Sequence, residues 1–362
     1  MAKLECLGAK HGDCLVLHHG SKKILFDGGP SGVYHQFLKK WIAENKPPGG
    51  PLVFDLGMVT HIDDDHINGL LALANDMGRR LDDAEPQDVS FKQFWFNSFS
   101  GLTGQDFHSA SVAEVVASAS TAGFNPHSGT FDDSRTGAII ASVSQGHKLS
   151  NSLSKLGLGG NGTFNGLVQG HKEVELANDL VLDVIGPQTE RLQQLREEWD
   201  EEIPVGTIAA FTDKSVPNLS SIVIMIKAGD KKLLMTGDAR GDDILKYLED
   251  ADYPIDGTME LDVLKTPHHG SDRNVTLEFF KALPAKTYVI SADGAHGNPD
   301  SPTIQWIAEA RGNAPFEFVF ASPMKTAAKQ EELENQLEEL KTSRNFTWRF
   351  RKSSDLSIDV DL

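Results

Sequence analysis

The segment His61-Ile62-Asp63-Asp64-Asp65-His66 follows the apolar run 56–60, which predicts a buried strand, and precedes a helix predicted from about Asn68. Four of its side chains, those of His61, Asp63, Asp65 and His66, are common metal ligands. Crowded at a strand end, these groups would repel and desolvate one another without a cation. The segment therefore predicts a metal site, although a solvated acidic turn before the helix would also explain it.

Two later strand ends carry residues of the same kind. Asp238 follows the predicted strand 232–235, in the segment Thr236-Gly237-Asp238. His268 and His269 follow the strand 261–264, in the segment Lys265-Thr266-Pro267-His268-His269-Gly270-Ser271. Each segment alone is also typical of an ordinary turn or surface loop. Together with the first segment they predict one site built from three strand ends.

The rest of the chain predicts an α/β layered fold. Short strands dominate the first 30 residues, and strands alternate with helices after residue 180. Residues 99–172 differ, because they are rich in Ser, Gly, Asn and Thr and poor in aliphatic side chains. We interpret 99–172 as an insertion or cap, with a helix at 109–120, within a single domain spanning 1–362.

These motifs together resemble the metallo-β-lactamase superfamily, and more narrowly the hydrolase domain of ComEC-type competence proteins and their free-standing relatives. The resemblance covers about 1–75 and 180–305. It is carried by the following segments: His11-Gly12-Asp13-Cys14, Ile24-Leu25-Phe26-Asp27-Gly28-Gly29, Thr60 to His66, Asn218-Leu219-Ser220-Ser221, Leu234 to Asp238 and Leu264 to Ser271.

The resemblance implies an αββα sandwich with two divalent metal ions at one edge, where a metal-activated water attacks the substrate. It implies as ligands His61, Asp63, Asp65, His66, Asp238 and one of the pair His268 and His269, with His269 favoured. Asp238 would bridge the ions, and Asp65 could orient the nucleophile. His268 or His296 could protonate the leaving oxygen. Lys265 could offset the charge of a phosphate, although a solvated loop lysine explains it equally well.

Two positions depart from the family pattern. Asn218 stands near the place of a histidine ligand, and Asn298, in Ala295-His296-Gly297-Asn298-Pro299, stands where the family has Gly-His-Pro. Asn218, Ser271 and Asn298 become candidate substrate-binding residues. The site is thus poorer in histidine and richer in oxygen than a β-lactamase-like zinc site, which shifts the expected metal toward Mn²⁺ or Mg²⁺, with Zn²⁺ as an alternative. It is also compatible with a single metal ion or a lapsed enzyme.

The net charge of the chain limits which binding partners we expect. The 362 residues include 34 Lys and Arg against 52 Asp and Glu, a formal net charge of −18. This acidity disfavours broad binding of duplex DNA or of an anionic membrane surface, because both depend on basic side chains. The chain shows no secretory signal and no apolar run that spans a bilayer, and it has only two cysteines, so we expect a cytoplasmic protein.

The resulting hypothesis is a metal-dependent phosphodiesterase acting on nucleic acid or on a small or cyclic nucleotide. A catalytically silent binding or regulatory module and a hydrolase of a non-phosphate ester are the alternatives. The predicted helix 326–340 is a surface helix or a homodimer contact. The basic, aromatic tail 341–352 is interpreted as a strand that buries Phe346, Trp348 and Phe350 and turns Thr347, Arg349 and Arg351 outward.

Overall fold

The computed structural model describes residues 2–98, 101–102, 134–194 and 220–362. Its strands form two large sheets and one small one. The strands are β1 (Ala2–Leu7), β2 (Leu15–His19), β3 (Lys22–Phe26), β4 (Leu52–Phe54), β5 (Leu56–Val59), β6 (Val89–Phe91), β7 (Phe94–Phe96), β8 (Lys172–Ala177), β9 (Leu180–Gly186), β10 (Val223–Ala228), β11 (Lys231–Met235), β12 (Leu261–Lys265), β13 (Ala285–Ile290), β14 (Phe316–Phe320), β15 (Phe346–Phe350) and β16 (Ser357–Asp361).

The first sheet has the order β16-β1-β2-β3-β5-β7, and the second has the order β15-β14-β13-β12-β11-β10-β9-β8. Each sheet is mixed. Strands β16, β1, β2 and β3 pair antiparallel, whereas β3, β5 and β7 pair parallel. In the second sheet the β8–β11 meander is antiparallel and β11–β15 run parallel. β4 and β6 form the small parallel pair.

The helices are α1 (Lys39–Asn45), α2 (Asp64–Asp82), α3 (Ser134–Lys155), α4 (Gly241–Asp250), α5 (Leu277–Ala282), α6 (Ser301–Arg311) and α7 (Ala327–Lys341). A π-helical turn, Tyr34–Leu38, leads into α1. None of the described helices is long and apolar enough to cross a membrane.

Side chains along each strand point alternately to the two faces of the sheet. They form three apolar layers, one between the two sheets and one on the outer face of each sheet. In β3, Ile24 and Phe26 face the second sheet, while Leu25 packs against the helices outside the first. In β10, Ile224 faces the first sheet, while Met225 packs against the outer helices of the second. Because successive strand residues point to opposite faces, strands buried on both sides place a core on each face of each sheet. The layers are therefore helix, sheet, sheet, helix, and the expected αββα sandwich is confirmed.

Helix α2 begins inside the motif that was expected to precede it. Asp63 is extended at the N-cap position, and Asp64, Asp65 and His66 form the first turn. The helix was predicted from Asn68, four residues too late. Acidic side chains in a first turn are favourable because they face the positive end of the helix dipole, so a metal motif and a helix start share these residues.

Helix α3 was not expected in the Ser- and Gly-rich region 99–172. Its sequence has weak helix propensity, but Leu149 and Leu153 are buried in the core that α2 also enters. Tertiary packing supplies the stability that propensity does not. The helix predicted at 109–120 lies outside the described residues, as does the second half of the one predicted at 189–201.

Strand β15 has the predicted apolar face, with Phe346 buried and Trp348 and Phe350 half-buried, and Arg349 is exposed on the other face. Arg351 is a correction, because it was expected to face outward and is buried instead. Its guanidinium donates to the carbonyl oxygens of Ala321, Lys352 and Asp355. These acceptors replace the water that the charge would otherwise need.

A close approach of two backbones fixes α2 on the first sheet. The amide of Gly28 donates to the carbonyl oxygen of His66 at 2.8 Å, and the amide of Gly69 donates to that of Gly29 at 3.0 Å. A Cβ atom on Gly69 would lie 1.8 Å from the carbonyl oxygen of Gly28. The contact therefore requires glycine on the helix.

We predict opposite effects for two substitutions in α2. Gly69→Ala should destabilise the protein by roughly 3 kcal/mol, because the methyl group meets backbone that cannot yield. Gly78→Ala should stabilise it by about 0.5–1 kcal/mol, because its Cβ would meet only the Lys155 side chain, at 3.8 Å, and alanine favours the helix. Urea unfolding of both variants measures this, and a stabilised Gly69→Ala protein would contradict the close approach.

Candidate metal centre

The three strand-end segments meet at one edge of the sandwich, around the carboxylate of Asp238. The Nε2 atoms of four histidines surround it. Oδ1 of Asp238 lies 3.2 Å from Nε2 of His66. Oδ2 lies 3.4 Å from Nε2 of His269, 3.6 Å from that of His268 and 3.9 Å from that of His61. The structure thus brings together residues that the sequence separates by up to 208 positions (269 − 61).

Two further carboxylates divide the cluster into two sides. Asp65 lies 3.3 Å from Nε2 of His269 and 3.9 Å from Nε2 of His66. Asp63 lies 3.7 Å from Nε2 of His61. Asp238 contacts histidines of both sides, which is the position that the family resemblance implies for a bridging ligand.

The opposite ring nitrogens are all held by the protein. Nδ1 of His66 lies 2.9 Å from Oδ2 of Asp27, and Nδ1 of His269 lies 2.7 Å from the carbonyl oxygen of Ser291. Nδ1 of His268 lies 2.8 Å from Oδ1 of Asn274, and Nδ1 of His61 lies 3.2 Å from Oγ1 of Thr60. Such contacts orient an imidazole and leave Nε2 as the free ligand atom.

The cluster fits a divalent cation. Where Nδ1 donates to Asp27 or to Ser291, Nε2 carries a lone pair, yet Nε2 of His66 and Nε2 of His269 lie 3.2 Å apart. Two facing lone pairs at that distance require a positive charge between or on them. Nε2 of His61 is buried without a hydrogen-bond partner among the described residues. Buried polar atoms are rarely left unpaired, so these nitrogens indicate a metal site.

The pKa shifts of the cluster also indicate that it needs positive charge. Burial lowers the pKa of His269, but Asp238 and Asp65 outweigh burial and raise it to about 10. Burial also opposes a charge on His66, yet Asp238, Asp27 and Asp65 raise its pKa well above the usual value. Burial, Asp65 and Asp238 raise the pKa of Asp63 to about 7. Protons on the two histidines thus take the place of a cation.

Backbone geometry aims both adjacent histidines inward. His268 and His269 have φ values of 45° and 56°, in the left-handed region that side chains other than glycine avoid. Each such residue costs on the order of 1–3 kcal/mol, and such conformations concentrate at functional sites. The turn Pro267–Gly270 is therefore held in this shape by its surroundings. His269 is buried, whereas the side chain of His268 is 30% exposed.

Lys265 is not a solvated loop lysine. Its side chain is 1% exposed, and its ammonium lies 2.7 Å from Oδ2 of Asp13. Asp13, in the loop between β1 and β2, is a residue for which the sequence predicted no role. The motif His11-Gly12-Asp13 was visible there, but only the fold shows that this loop lies beneath the metal cluster. The predicted contact of Lys265 with a substrate phosphate is not the role that these surroundings favour.

Three of the remaining predicted residues, Ser271, Asn298 and His296, lie around the cluster. Ser271 is buried, and its amide donates to the carbonyl oxygen of His268. Asn298 donates to that same oxygen through Nδ2 at 3.2 Å. His296 is exposed and packs edge-on against His11, with ring centroids 4.7 Å apart. Asn218 lies outside the described residues. The substrate-binding roles of Asn218, Ser271 and Asn298 remain predictions.

Helix α3 contacts the segment His61–His66 through two side chains. Oγ of Ser142 donates to Oδ1 of Asp63 at 3.3 Å, and Nε2 of Gln145 donates to Oδ1 of Asp64 at 2.9 Å. These bonds join the region 99–172 to the site. Neither Ser142 nor Gln145 was anticipated, because a serine or glutamine in a polar segment gives no sequence signal.

Comparisons with known proteins find only distant structural likenesses. No protein-family model matches the sequence, and no curated protein matches it significantly. The metallo-β-lactamase fold protein YhfI from Bacillus subtilis aligns over 99% of this chain and 99% of its own, with a TM-score of 0.42 and 14% identity. A mutant of the CmlA β-hydroxylase aligns over 100% of this chain and 54% of its own, with a TM-score of 0.41 and 11% identity.

A Cronobacter sakazakii metallo-β-lactamase described by a HARLDQ motif aligns over 92% of this chain and 95% of its own, with a TM-score of 0.33 and 11% identity. These are distant likenesses, and only about half of the CmlA chain takes part in its alignment. The assignment of the four layers rests on the sheets themselves, and the candidate site rests on the geometry of its own side chains.

We predict that Asp27→Asn lowers the affinity for a divalent metal by roughly 10–100-fold. Asp27 accepts hydrogen bonds from the amide and hydroxyl of Thr60 as well as facing His66, and an amide would disturb the orientation of that imidazole. Asp55→Asn is the matched control. It removes a buried carboxylate, paired with Lys22 and Lys92, at the other end of the same strands. Equal metal affinity of both variants would contradict the assignment.

Metal binding should also release protons. Because the pKa values of His66 and His269 are raised, both rings are protonated at pH 7 in the metal-free protein, and ligation requires them neutral. Titration calorimetry with Mn²⁺ or Zn²⁺ at pH 7, in buffers of different ionisation enthalpy, should report about two to three protons released per protein. The two histidines each release one, and Asp63, whose pKa is about 7, adds about half a proton. Release should fall above the pKa of His269, about 10. His269→Gln should release about one proton fewer, and no release at pH 7 would contradict the prediction.

Proposed function

We propose that the protein is a metal-dependent hydrolase, and more specifically a phosphodiesterase that acts on nucleic acid or on a small or cyclic nucleotide. The single observation that carries the proposal is the convergence of four imidazole Nε2 atoms on Asp238, with Asp63 and Asp65 beside them. The ComEC-type resemblance of the motifs supports the phosphodiesterase class.

The ligand set follows from the contacts. His61 and Asp63 would hold one cation, and Asp65, His66 and His269 the other, with Asp238 shared between them. His268 joins this set because its Nε2 lies 3.6 Å from Asp238. Mixed imidazole and carboxylate ligands suit Mn²⁺ or Zn²⁺, and Mg²⁺ is the further alternative. When bound, such ions supply a hydroxide nucleophile at neutral pH and neutralise phosphoryl charge.

The chain's own residues supply the other parts of the reaction. Asp65, about a quarter exposed, would orient the nucleophile. With His268 assigned to the ligands, the exposed His296 remains to protonate the leaving oxygen. The acidic surface disfavours gripping a long duplex, so the substrate would be a small nucleotide or a strand end that reaches the metal edge.

We predict metal-dependent turnover that disappears with Asp238. Bis-p-nitrophenyl phosphate, single-stranded DNA and cyclic nucleotides would be assayed with Mn²⁺, Mg²⁺ and Zn²⁺, alongside measurement of bound metal. Asp238→Ala should lose at least about 100-fold in kcat/KM, because it removes the shared carboxylate. Asp230→Ala, in the exposed turn of the same hairpin, is the control.

The outcomes separate the alternatives. Turnover of DNA alone selects a nuclease, and turnover of cyclic nucleotides alone selects a signalling phosphodiesterase. Metal binding with nucleotide affinity but no turnover selects a silent binding module. Activity on a non-phosphate ester only would reject the phosphodiesterase class while keeping the hydrolase. Turnover that is equal in the Asp238→Ala and wild-type proteins would reject this site.

A further inference from the structure

A buried ion pair lies directly behind the candidate metal ligands. Lys265 ends β12, and Asp13 lies in the loop between β1 and β2, so the pair joins the two sheets. Their side chains are only 1% and 2% exposed, and Nζ of Lys265 lies 2.7 Å from Oδ2 of Asp13. The ammonium also donates to the carbonyl oxygen of Thr266 at 3.1 Å. Burying a lysine ammonium costs desolvation free energy, so a buried lysine at this position calls for an explanation.

Asp13 approaches the Nδ1 side of the histidine rings, whereas the candidate metal ligand atoms are on the Nε2 side. It comes within 4.8 Å of His66, Asp238 and His269, close enough to be considered with them. The nitrogens of these histidines that it approaches, however, are Nδ1 of His66 at 3.8 Å and Nδ1 of His269 at 3.9 Å. Those atoms already face Asp27 and the Ser291 carbonyl oxygen, while the Nε2 atoms point to Asp238. Asp13 therefore faces the backs of the two imidazoles.

The charges around the cluster give the pair a function. Five carboxylates belong to this region, those of Asp13, Asp27, Asp63, Asp65 and Asp238. Among the described residues, Lys265 is the one lysine or arginine that pairs with any of them. With the carboxylates ionised and the histidines neutral, the sum is five negative charges and one positive, a net charge of −4. Two divalent cations balance that charge.

We propose that Lys265 is a positioning residue that acts as a built-in cation. It holds Asp13 out of the ligand set through the 2.7 Å ion pair, and it lowers the negative charge of the site to the amount that two divalent ions neutralise. The inference rests on the proposed function, because it concerns the same metal site. Lys265 then acts on the metals through charge and through the Asp13 contacts to His66 and His269, without touching substrate.

The test compares the wild-type protein with Lys265→Met, Asp13→Asn and the double variant. Bound Mn²⁺ and Zn²⁺ per chain, metal affinity and the Tm of the metal-free protein are measured for each. Lys265→Met adds one net negative charge and should bind metal about tenfold more tightly or more, whereas Asp13→Asn should bind it about tenfold more weakly. The double variant restores the net charge, so it should bind two ions with an affinity within about threefold of wild type.

Other results overturn the proposal. If Asp13 is a metal ligand, the double variant will bind as weakly as Asp13→Asn. If the pair is only a structural contact, both single variants will lose Tm while metal affinity stays unchanged. Should one single variant fail to fold, the other is compared with the double variant. A tenfold difference in metal affinity between those two supports the proposal, and equal affinity overturns it. A wild-type protein without metal overturns the proposed function itself, which distinguishes that failure from the failure of this inference.

Discussion

The carboxylate of Asp238 is buried among four imidazoles, and most of the site follows from that constraint. An isolated buried carboxylate is unstable, so the surroundings must supply positive charge. Nε2 atoms converge on it, and the Nδ1 atoms of the same rings are fastened elsewhere by Asp27, Ser291, Asn274 and Thr60. Each of these Nδ1 contacts fixes the orientation of one imidazole ring. Fixing four rings around one carboxylate costs free energy, and a bound cation would offset that cost.

The same constraint explains features of the fold that would otherwise be liabilities. Two consecutive histidines adopt left-handed backbone conformations, and α2 approaches the Asp27 loop so closely that only glycine fits at position 69. Both features bring ligands from separate strands to one edge. Strain of this kind persists only where the packed structure overdetermines it, as the buried layers on both sides of each sheet do here.

The edge of the sandwich is organised in depth. Two ligand carboxylates, those of Asp63 and Asp65, are about a quarter exposed. Asp238, the Nδ1 partner Asp27 and the Asp13–Lys265 pair behind the rings are all buried. Helix α3 closes the outer side through Ser142 and Gln145. The charges of Asp13 and Lys265 belong to the protein, whereas bound metal ions can exchange. The buried pair would therefore set how many cations the site accepts before any substrate arrives. The acidity of the whole chain then matters less to a phosphate substrate than the charge at this edge.

Sequence alone determined the ligand candidates and the layered fold, because ligand chemistry and period-two apolar runs are local properties. His61, Asp63, Asp65, His66, Asp238 and the two adjacent histidines were all identifiable, and the structure brings them together. Sequence predicted one ligand from the pair His268 and His269, whereas the structure brings Nε2 of both to Asp238. Sequence also did not anticipate α3, and it treated Lys265 as equally a solvated loop residue. Those questions depend on which side chains face each other across 79 to 252 residues (142 − 63 and 265 − 13). Only the packing of two sheets against each other decides that, because burial and partner charge are properties of the folded chain.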